Sequence, residues 1–294
     1  MAKQVLADFK RLTPLVKAYF NALAIIIFKI RTYITTNNQI NQGIFMFFIY
    51  ILIGIVQGLT EFLPVSSSGH ILLLSEIFNV DLDIIFLSVV AHLGTLLSVI
   101  ICMRKKLAYS IKHPFCKTNW QLLVATLPCV IGVLLFNDLV DKLYSIYFLV
   151  AGFLITGILL VVADIIKQKN QKFGYKHAVS MGIMQAVAIL PGISRSGSTM
   201  AVGMMTGADK EDACEFTFLM SIPIIIASAV FESVEMFTTG VNIQILPSIL
   251  VFVTSFIFGI LSIKLMLKVL KNNKLYVFSI YLLVLSAITL LVVL

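Results

Sequence analysis

Charge is the feature this sequence has least of. Only 12% of its 294 residues are charged, against roughly a quarter in a soluble domain, while 60% are apolar. So sparse a complement cannot cover a water-facing surface, so lipid must solvate most of the chain. The pair of soluble domains that length alone would suggest is therefore excluded. Cysteine is also scarce: Cys102, Cys116, Cys129 and Cys214 show no C-x-x-C spacing, which argues against a metal site or a disulfide framework and leaves them as small buried residues. No G-x-x-x-x-G-K-[ST] loop, no H-E-x-x-H and no nucleotide-binding pattern occurs, so nucleotide-driven and zincin-type chemistry has no footing. The formal net charge of +8 does not make a nucleic-acid surface. Its basic residues fall in short runs between apolar segments, as the positive-inside rule produces, and no nucleic-acid partner is expected.

Long apolar runs are what the chain has instead. A membrane helix needs about 20 mainly apolar residues, and stretches near 43–63, 85–103, 120–137, 146–166, 176–193, 213–232, 245–267 and 275–294 meet or approach that length. Two further apolar pieces, near 67–78 and 196–206, are too short to cross. The connections holding Arg104, Lys105, Lys106, Lys112 and Lys117, then Lys167, Lys169, Lys172 and Lys176, then Lys268, Lys271 and Lys274 are assigned to the cytoplasm. The stretches at Asp138 to Asp141 and Glu232 to Glu235 are assigned outside. The segment 176–212 then enters and leaves on one face and reads as a re-entrant hairpin; 43–79 reads as a second hairpin entered from the opposite face. The expected fold class is an all-α polytopic membrane protein with about six transmembrane helices plus two re-entrant helical hairpins in an inverted repeat.

A shift of 128 residues supports the repeat, since it places Gln57 on Gln185, Ser66 on Ser194, Ser68 on Ser196 and Gly69 on Gly197. The membrane domain is thus 43–294, with halves at roughly 43–166 and 176–294, and inverted repeats of this kind put their sites near the bilayer midplane. Residues 1–42 form a separate extension with Lys3, Lys10, Arg11, Lys17, Lys29 and Arg31 around a short apolar core at Ala22 to Phe28, read as an interfacial amphipathic helix.

Two polar motifs interrupt the apolar sequence: Q-G-L-T-E-F-L-P-V-S-S-S-G-H at Gln57–His70 and Q-A-V-A-I-L-P-G-I-S-R-S-G-S-T at Gln185–Thr199. Pro64 and Pro191–Gly192 break the incoming helices, and Ser66 and Ser194 are N-cap candidates for the returning ones. Each tip would offer backbone N–H groups, hydroxyls and a positive dipole end, which suits an anion. Glu61, His70 and Arg195 are ionisable groups inside apolar sequence, costly at membrane depth and functional candidates for that reason. Arg195 has the planar fork that fits phosphate oxygens. Ser67 and His70 share one helix face, and Arg195 and Thr199 share another. Where the tips meet, Glu61, Ser67 and His70 would face Arg195, Ser194, Ser196 and Thr199. A buried serine can equally bond only its own helix, and a Glu61–Arg195 pair can be purely structural. Among the rest, His92 reads as structural with a polar contact to the site left open. His113 and His177 read as solvated loop residues, Lys264, Lys268 and Lys271 as snorkelling, and Glu215 as either a helix cap or a contact to the second motif.

At these motifs the chain resembles the undecaprenyl-diphosphatase, or bacitracin-resistance, family: G-L-T-E-F-L-P-V-S-S-S-G-H at Gly58–His70, P-G-I-S-R-S-G-S-T at Pro191–Thr199, and E-F-T-F-L-M-S-I-P at Glu215–Pro223. The likeness runs from about residue 43 to the C-terminus. It implies hydrolysis of undecaprenyl diphosphate to undecaprenyl phosphate and inorganic phosphate, recycling the lipid carrier for peptidoglycan synthesis and conferring bacitracin resistance. It also implies a bacterial cytoplasmic-membrane enzyme with its site open to the outer face. Glu61, His70 and Arg195 would be essential and Ser67 the nucleophile, with a divalent cation, Mg²⁺ or Ca²⁺, required and Glu61 its one candidate ligand. Gln57, Ser66, Ser194, Ser196 and Thr199 would contact substrate. The expected partners are a long-chain polyprenyl diphosphate and the membrane, and a homodimer is allowed. Many members have glutamate where this chain has Gln57, which weakens a two-carboxylate metal site. In the expected mechanism Arg195 and the tips hold the diphosphate, Ser67 attacks, and His70 manages the proton with Glu61 assisting; attack by activated water fits as well. A lipid-phosphate transporter is one rival. The other is an acid-phosphatase-type enzyme, which would need a histidine after Arg195, where there is none.

Overall fold

The computed structural model describes residues 39–78, 84–143, 145–166, 171–239, 245–271 and 275–293. The N-terminal extension therefore lies almost wholly outside the described residues. Within them the elements are α1 (Gln39–Phe62), α2 (Ser67–Phe78), α3 (Ile84–Cys102), α4 (Arg104–Lys112), α5 (Lys117–Leu143), α6 (Ile146–Ile165), α7 (Tyr175–Val187), α8 (Arg195–Met205), α9 (Lys210–Thr239), α10 (Ile245–Lys271) and α11 (Tyr276–Val293). No strand occurs among the described residues, and a lone bridge joins Gln171 to Ala208. The reason is physical: in lipid every backbone polar group must be satisfied internally, and a helix does so within one segment.

Five helical segments are long and apolar enough to cross a membrane unaided: Gly43–Phe62, Lys117–Leu135, Ile146–Ile165, Lys210–Phe231 and Ile245–Lys271. A sixth arises if α3 and α4, bent by 79° at Met103, are taken together. The bend falls where apolar sequence gives way to Arg104, Lys105 and Lys106, and α4 buries none of its residues. The expected short second pieces appear as α2 and α8. The stretches assigned to outer loops at 138–141 and 232–235 are instead helical, as continuations of α5 and α9. The two hairpins differ. α7, at 13 residues, spans about 20 Å and cannot cross a hydrocarbon core of about 30 Å, as a re-entrant arm requires. α1 contains a segment able to cross by itself, and neither expected hairpin is confirmed by these dimensions.

The outward faces are apolar at helical spacing: Leu123, Leu127, Ile131 and Leu134 on α5, and Ile249, Val253, Ile257, Leu261 and Leu265 on α10 are all exposed. Continuous apolar stripes of this kind mark surfaces that face lipid. Inside, small and hydroxylated residues let helices approach and bond. Ser98 donates to the Phe256 carbonyl at 2.7 Å, Ser262 to that of Leu59 at 2.7 Å, and Ser286 to that of Val150 at 3.2 Å.

Packing follows the 128-residue repeat. α1 packs on α10 and, reciprocally, α7 packs on α5; α3 meets α9, α6 meets α11, and α2 and α8 each pack on the helix that leads into them. Gly54 and Gly182, 128 residues apart, mark the matching crossings. A Cβ on Gly54 would come 2.7 Å from the Val251 carbonyl, and one on Gly182 would come 2.6 Å from that of Ala125. Any side chain at either glycine would push the helices apart.

Candidate active site

Both polar motifs become helix breaks, and the breaks touch. In the first, α1 stops at Phe62 because Pro64 has no N–H to donate and disfavours helical geometry at Leu63. A tight turn follows, with the Val65 N–H donating to the Leu63 carbonyl at 2.8 Å. Ser66 then adopts φ +69°, the one non-glycine residue with positive φ among the described residues. Such strain persists only where its surroundings impose it, and it gathers at functional sites. Ser66 Oγ accepts from the Gly69 N–H at 3.4 Å, which makes it the cap of α2. In the second break Gly192 takes the left-handed turn, φ +82°, and Ser194 caps α8, its Oγ accepting from the Gly197 N–H at 3.1 Å. The Ser194 N–H is itself tied to Thr156 Oγ1 of α6 at 2.9 Å.

Contact between the tips is direct. Ser196 Oγ donates to the Leu63 carbonyl at 3.0 Å, and a Cβ on Gly197 would stand 2.7 Å from Pro64 Cβ. Arg195 forms an ion pair with Glu61 Oε1. Glu61 Oε2 accepts from Ser67 Oγ at 2.7 Å and from Gln57 Nε2 at 3.0 Å. Gln57 Nε2 also reaches His92 Nδ1 at 3.0 Å, and His92 Nδ1 lies 3.9 Å from Glu61 Oε2. With the amide donating to the carboxylate and to Nδ1, the neutral His92 ring carries its proton on Nε2. Glu61 is only 4% exposed. A buried carboxylate must be paired, and here a guanidinium, a hydroxyl and an amide do so.

A cavity of about 150 Å³ opens at this junction, bordered by residues of both breaks, including Glu61, Ser67 and Arg195, and by His92 of α3. Ser67 and Arg195 are the first residues of α2 and α8, so two helix N-termini meet the same space, an arrangement suited to an anion. Under the 128-residue shift they are equivalent positions. One scaffold thus presents a hydroxyl from one half and a guanidinium from the other, while Glu61 falls opposite Ile189 and has no counterpart. The second half's Gln185 is 1% exposed with neither amide atom hydrogen-bonded, whereas Nε2 of its equivalent Gln57 bonds both Glu61 and His92.

Not every expected site residue comes to this cavity. Glu61, Ser66, Ser67, Ser194, Arg195 and Ser196 border it, and Gln57 lies behind Glu61. The expected pairing of His70 with Glu61 is not formed. His70 Nδ1 donates to the Ser66 carbonyl at 2.8 Å, Tyr281 Oη approaches Nε2 at 2.6 Å, and the two rings stack at 5.7 Å. The helical turn from Ser66 to His70 aims the imidazole toward α11, away from α3. Thr199 also turns away, donating to the Arg195 carbonyl at 2.7 Å and meeting Thr217 at 3.3 Å. His92 takes the place beside Glu61. The signal was its position, an ionisable group in an apolar span, which was the criterion that singled out Glu61. Thr156 and Tyr281 carried no such signal, because they reach the site region from distant helices.

A family model described as "Bacitracin resistance protein BacA" matches residues 50–288. "Undecaprenyl-diphosphatase 4" of Bacillus thuringiensis subsp. konkukian is 39% identical over 237 residues, covering 78% of this chain and 91% of the relative. "Undecaprenyl-diphosphatase" of Carboxydothermus hydrogenoformans is 37% identical over 238 residues, covering 79% and 91%. "Undecaprenyl-diphosphatase" of Methanococcus vannielii is 37% identical over 241 residues, covering 79% and 94%.

Proposed function

Because the chain belongs to the bacitracin resistance protein family, we propose that it hydrolyses undecaprenyl diphosphate to undecaprenyl phosphate and inorganic phosphate. That reaction returns a lipid carrier to cell-wall polymer synthesis and supports bacitracin resistance. The observation that carries the reading is the single cavity where Arg195, Ser67 and Glu61 converge from two helix breaks. Liquid water has about 30 Å³ per molecule, so a space of about 150 Å³ suits a diphosphate head and excludes a long prenyl chain. The tail would stay outside this cavity, against the apolar helix faces that border lipid.

In the proposed mechanism Arg195 and the N–H groups that start α2 and α8 hold the diphosphate and meet the charge that builds on its oxygens. Ser67 Oγ attacks the terminal phosphorus and passes its proton to Glu61. The bond to the bridging oxygen breaks, and the lipid monophosphate leaves. Glu61 hands the serine proton to the departing phosphate oxygen and is again a carboxylate. Water then attacks the phosphoserine, and Glu61 takes the water's proton and passes it to Ser67 Oγ as the serine–phosphate bond breaks. Inorganic phosphate is released with Ser67 restored. His92 and Gln57 hold the Glu61 carboxylate from behind. His70, through the Ser66 carbonyl, positions the turn from which Ser67 projects. The donor set does not make a resident metal site: among the described residues no group of three or more His, Cys, Asp or Glu could hold an ion, and Glu61 is committed to Arg195. A Mg²⁺ or Ca²⁺ requirement would therefore reside with the diphosphate oxygens, and no step above depends on it. The cavity is assigned to the outer half of the membrane, reached from the face opposite the basic connections.

The test is phosphate release from a long-chain prenyl diphosphate by protein purified in detergent. Removing one member of a buried ion pair costs about 3–5 kcal/mol, so Glu61→Gln and Arg195→Gln are measured singly and together, the double variant leaving no unpaired charge. Release by wild type and none by a folded double variant is expected. Lipid binding without release by wild type would favour a transporter.

A further inference from the structure

A second and larger cavity, about 520 Å³, is lined by residues of α4, α5 and α9 and shares none with the Glu61–Arg195 cavity. It is lined by Lys105, Lys106, Lys117 and Lys172, with Asp212 as its one carboxylate. Lys106 is paired with Glu215 of α9, and Lys117 sits over the Tyr175 ring at 5.8 Å. Among the described residues Lys105, Lys117 and Lys172 make no ion pair. The first turn of α5, Lys117 and Thr118, borders the space and adds the positive end of its dipole. An independent observation points to a ligand. Gln121, another lining residue, is 4% exposed, and its Nε2 has no hydrogen-bond partner. A buried donor left unmet beside a cationic cavity asks for an acceptor, and the charge around it asks for an anion.

We propose that this cavity is a second phosphate-binding site, distinct from the Glu61–Arg195 centre, which takes the phosphate group of a lipid head or of a soluble phosphate. Lysines supply the charge, and Gln121 donates to a phosphate oxygen. The surroundings favour lipid: Ile111, Phe115 and Trp120, on and after α4, are exposed apolar side chains next to the basic lining, as at a bilayer interface, where basic pockets between helices hold anionic heads. The site does not depend on the hydrolase reading.

Native mass spectrometry of the full-length protein in detergent tests the proposal, comparing wild type with Lys105→Gln/Lys172→Gln and with Gln121→Leu, each titrated with phosphatidic acid, phosphatidylcholine and inorganic phosphate. Phosphatidic acid is expected to be retained over phosphatidylcholine, and the two lost lysines to weaken it by about thirtyfold. Gln121→Leu, which removes an unmet donor without removing bulk, is expected to keep the protein folded while lowering retention. Phosphate release at the other site should be unchanged in all variants. Lysine-dependent binding of inorganic phosphate, with no preference for the lipid, would sustain the site and assign it a soluble ligand. Equal retention by wild type and the lysine variant, or binding of neither probe, would overturn it.

Discussion

Replacing Ser67 with alanine distinguishes a nucleophile from a group that merely orients Glu61. Ser67 Oγ donates to Glu61 Oε2 at 2.7 Å, and Gln57 Nε2 donates to the same oxygen at 3.0 Å. If Ser67 only holds the carboxylate, its loss removes one hydrogen bond to a charged acceptor, about 1.5–3 kcal/mol, or roughly 10- to 150-fold in rate. If Ser67 forms the covalent bond, the loss is that of a nucleophile, on the order of 10⁶-fold in kcat. These ranges do not overlap. The fold should survive, because Gln57 and Arg195 still satisfy Glu61, and a destabilisation of no more than about 3 kcal/mol is expected. The assay is phosphate release in detergent, with the melting transition of each protein measured in the same buffer. A fall of at least 10⁴-fold at unchanged folding supports the covalent route. Residual turnover within about 150-fold of wild type refutes it and assigns the attack to water activated by Glu61.

Three other substitutions probe the scaffold around that chemistry. Ser66→Gly should stabilise the protein by about 1 kcal/mol, since glycine relieves the strain of φ +69° at a capping loss of a few tenths. Ser66→Ala, which keeps the strain and loses the cap, should cost about 1 kcal/mol; equal melting temperatures for the two would contradict this. Gln57→Glu would set a second carboxylate beside Glu61 with one arginine for both. In the absence of lipid it should make the melting temperature rise with added Mg²⁺ or Ca²⁺, whereas wild type should not respond.

Much of the architecture was legible from the chain because lipid leaves a peptide few options. A run of about 20 apolar residues with no water to bond its backbone must be a helix, and the observed helices follow the apolar runs closely, down to the short pieces α2 and α8. The two breaks were equally readable, since Pro64 and Pro191–Gly192 impose them locally and the following serines cap what comes next. The Glu61–Arg195 meeting was foreseeable from cost alone, because each buried charge needs the other. Whether α1 crosses or turns back was not, because its run at 43–63 is long enough to span while Pro64 ends a span and a re-entrant arm alike.

What the sequence by itself determined is therefore the solvent, the helices, the breaks and the ionisable residues that had to be buried together. Only the tertiary structure decided which of them share a cavity. Gly54 and Gly182 set how closely α1 meets α10 and α7 meets α5. The packing of α3 on α1 and α10 brings His92 to the back of Glu61, and the packing of α11 on α6 brings Tyr281 to His70. Two histidines with similar local signals were thereby sent to different places. The direction of a side chain on a helix is local, but what stands in front of it depends on a neighbour that can lie 211 residues away, as Tyr281 does from His70.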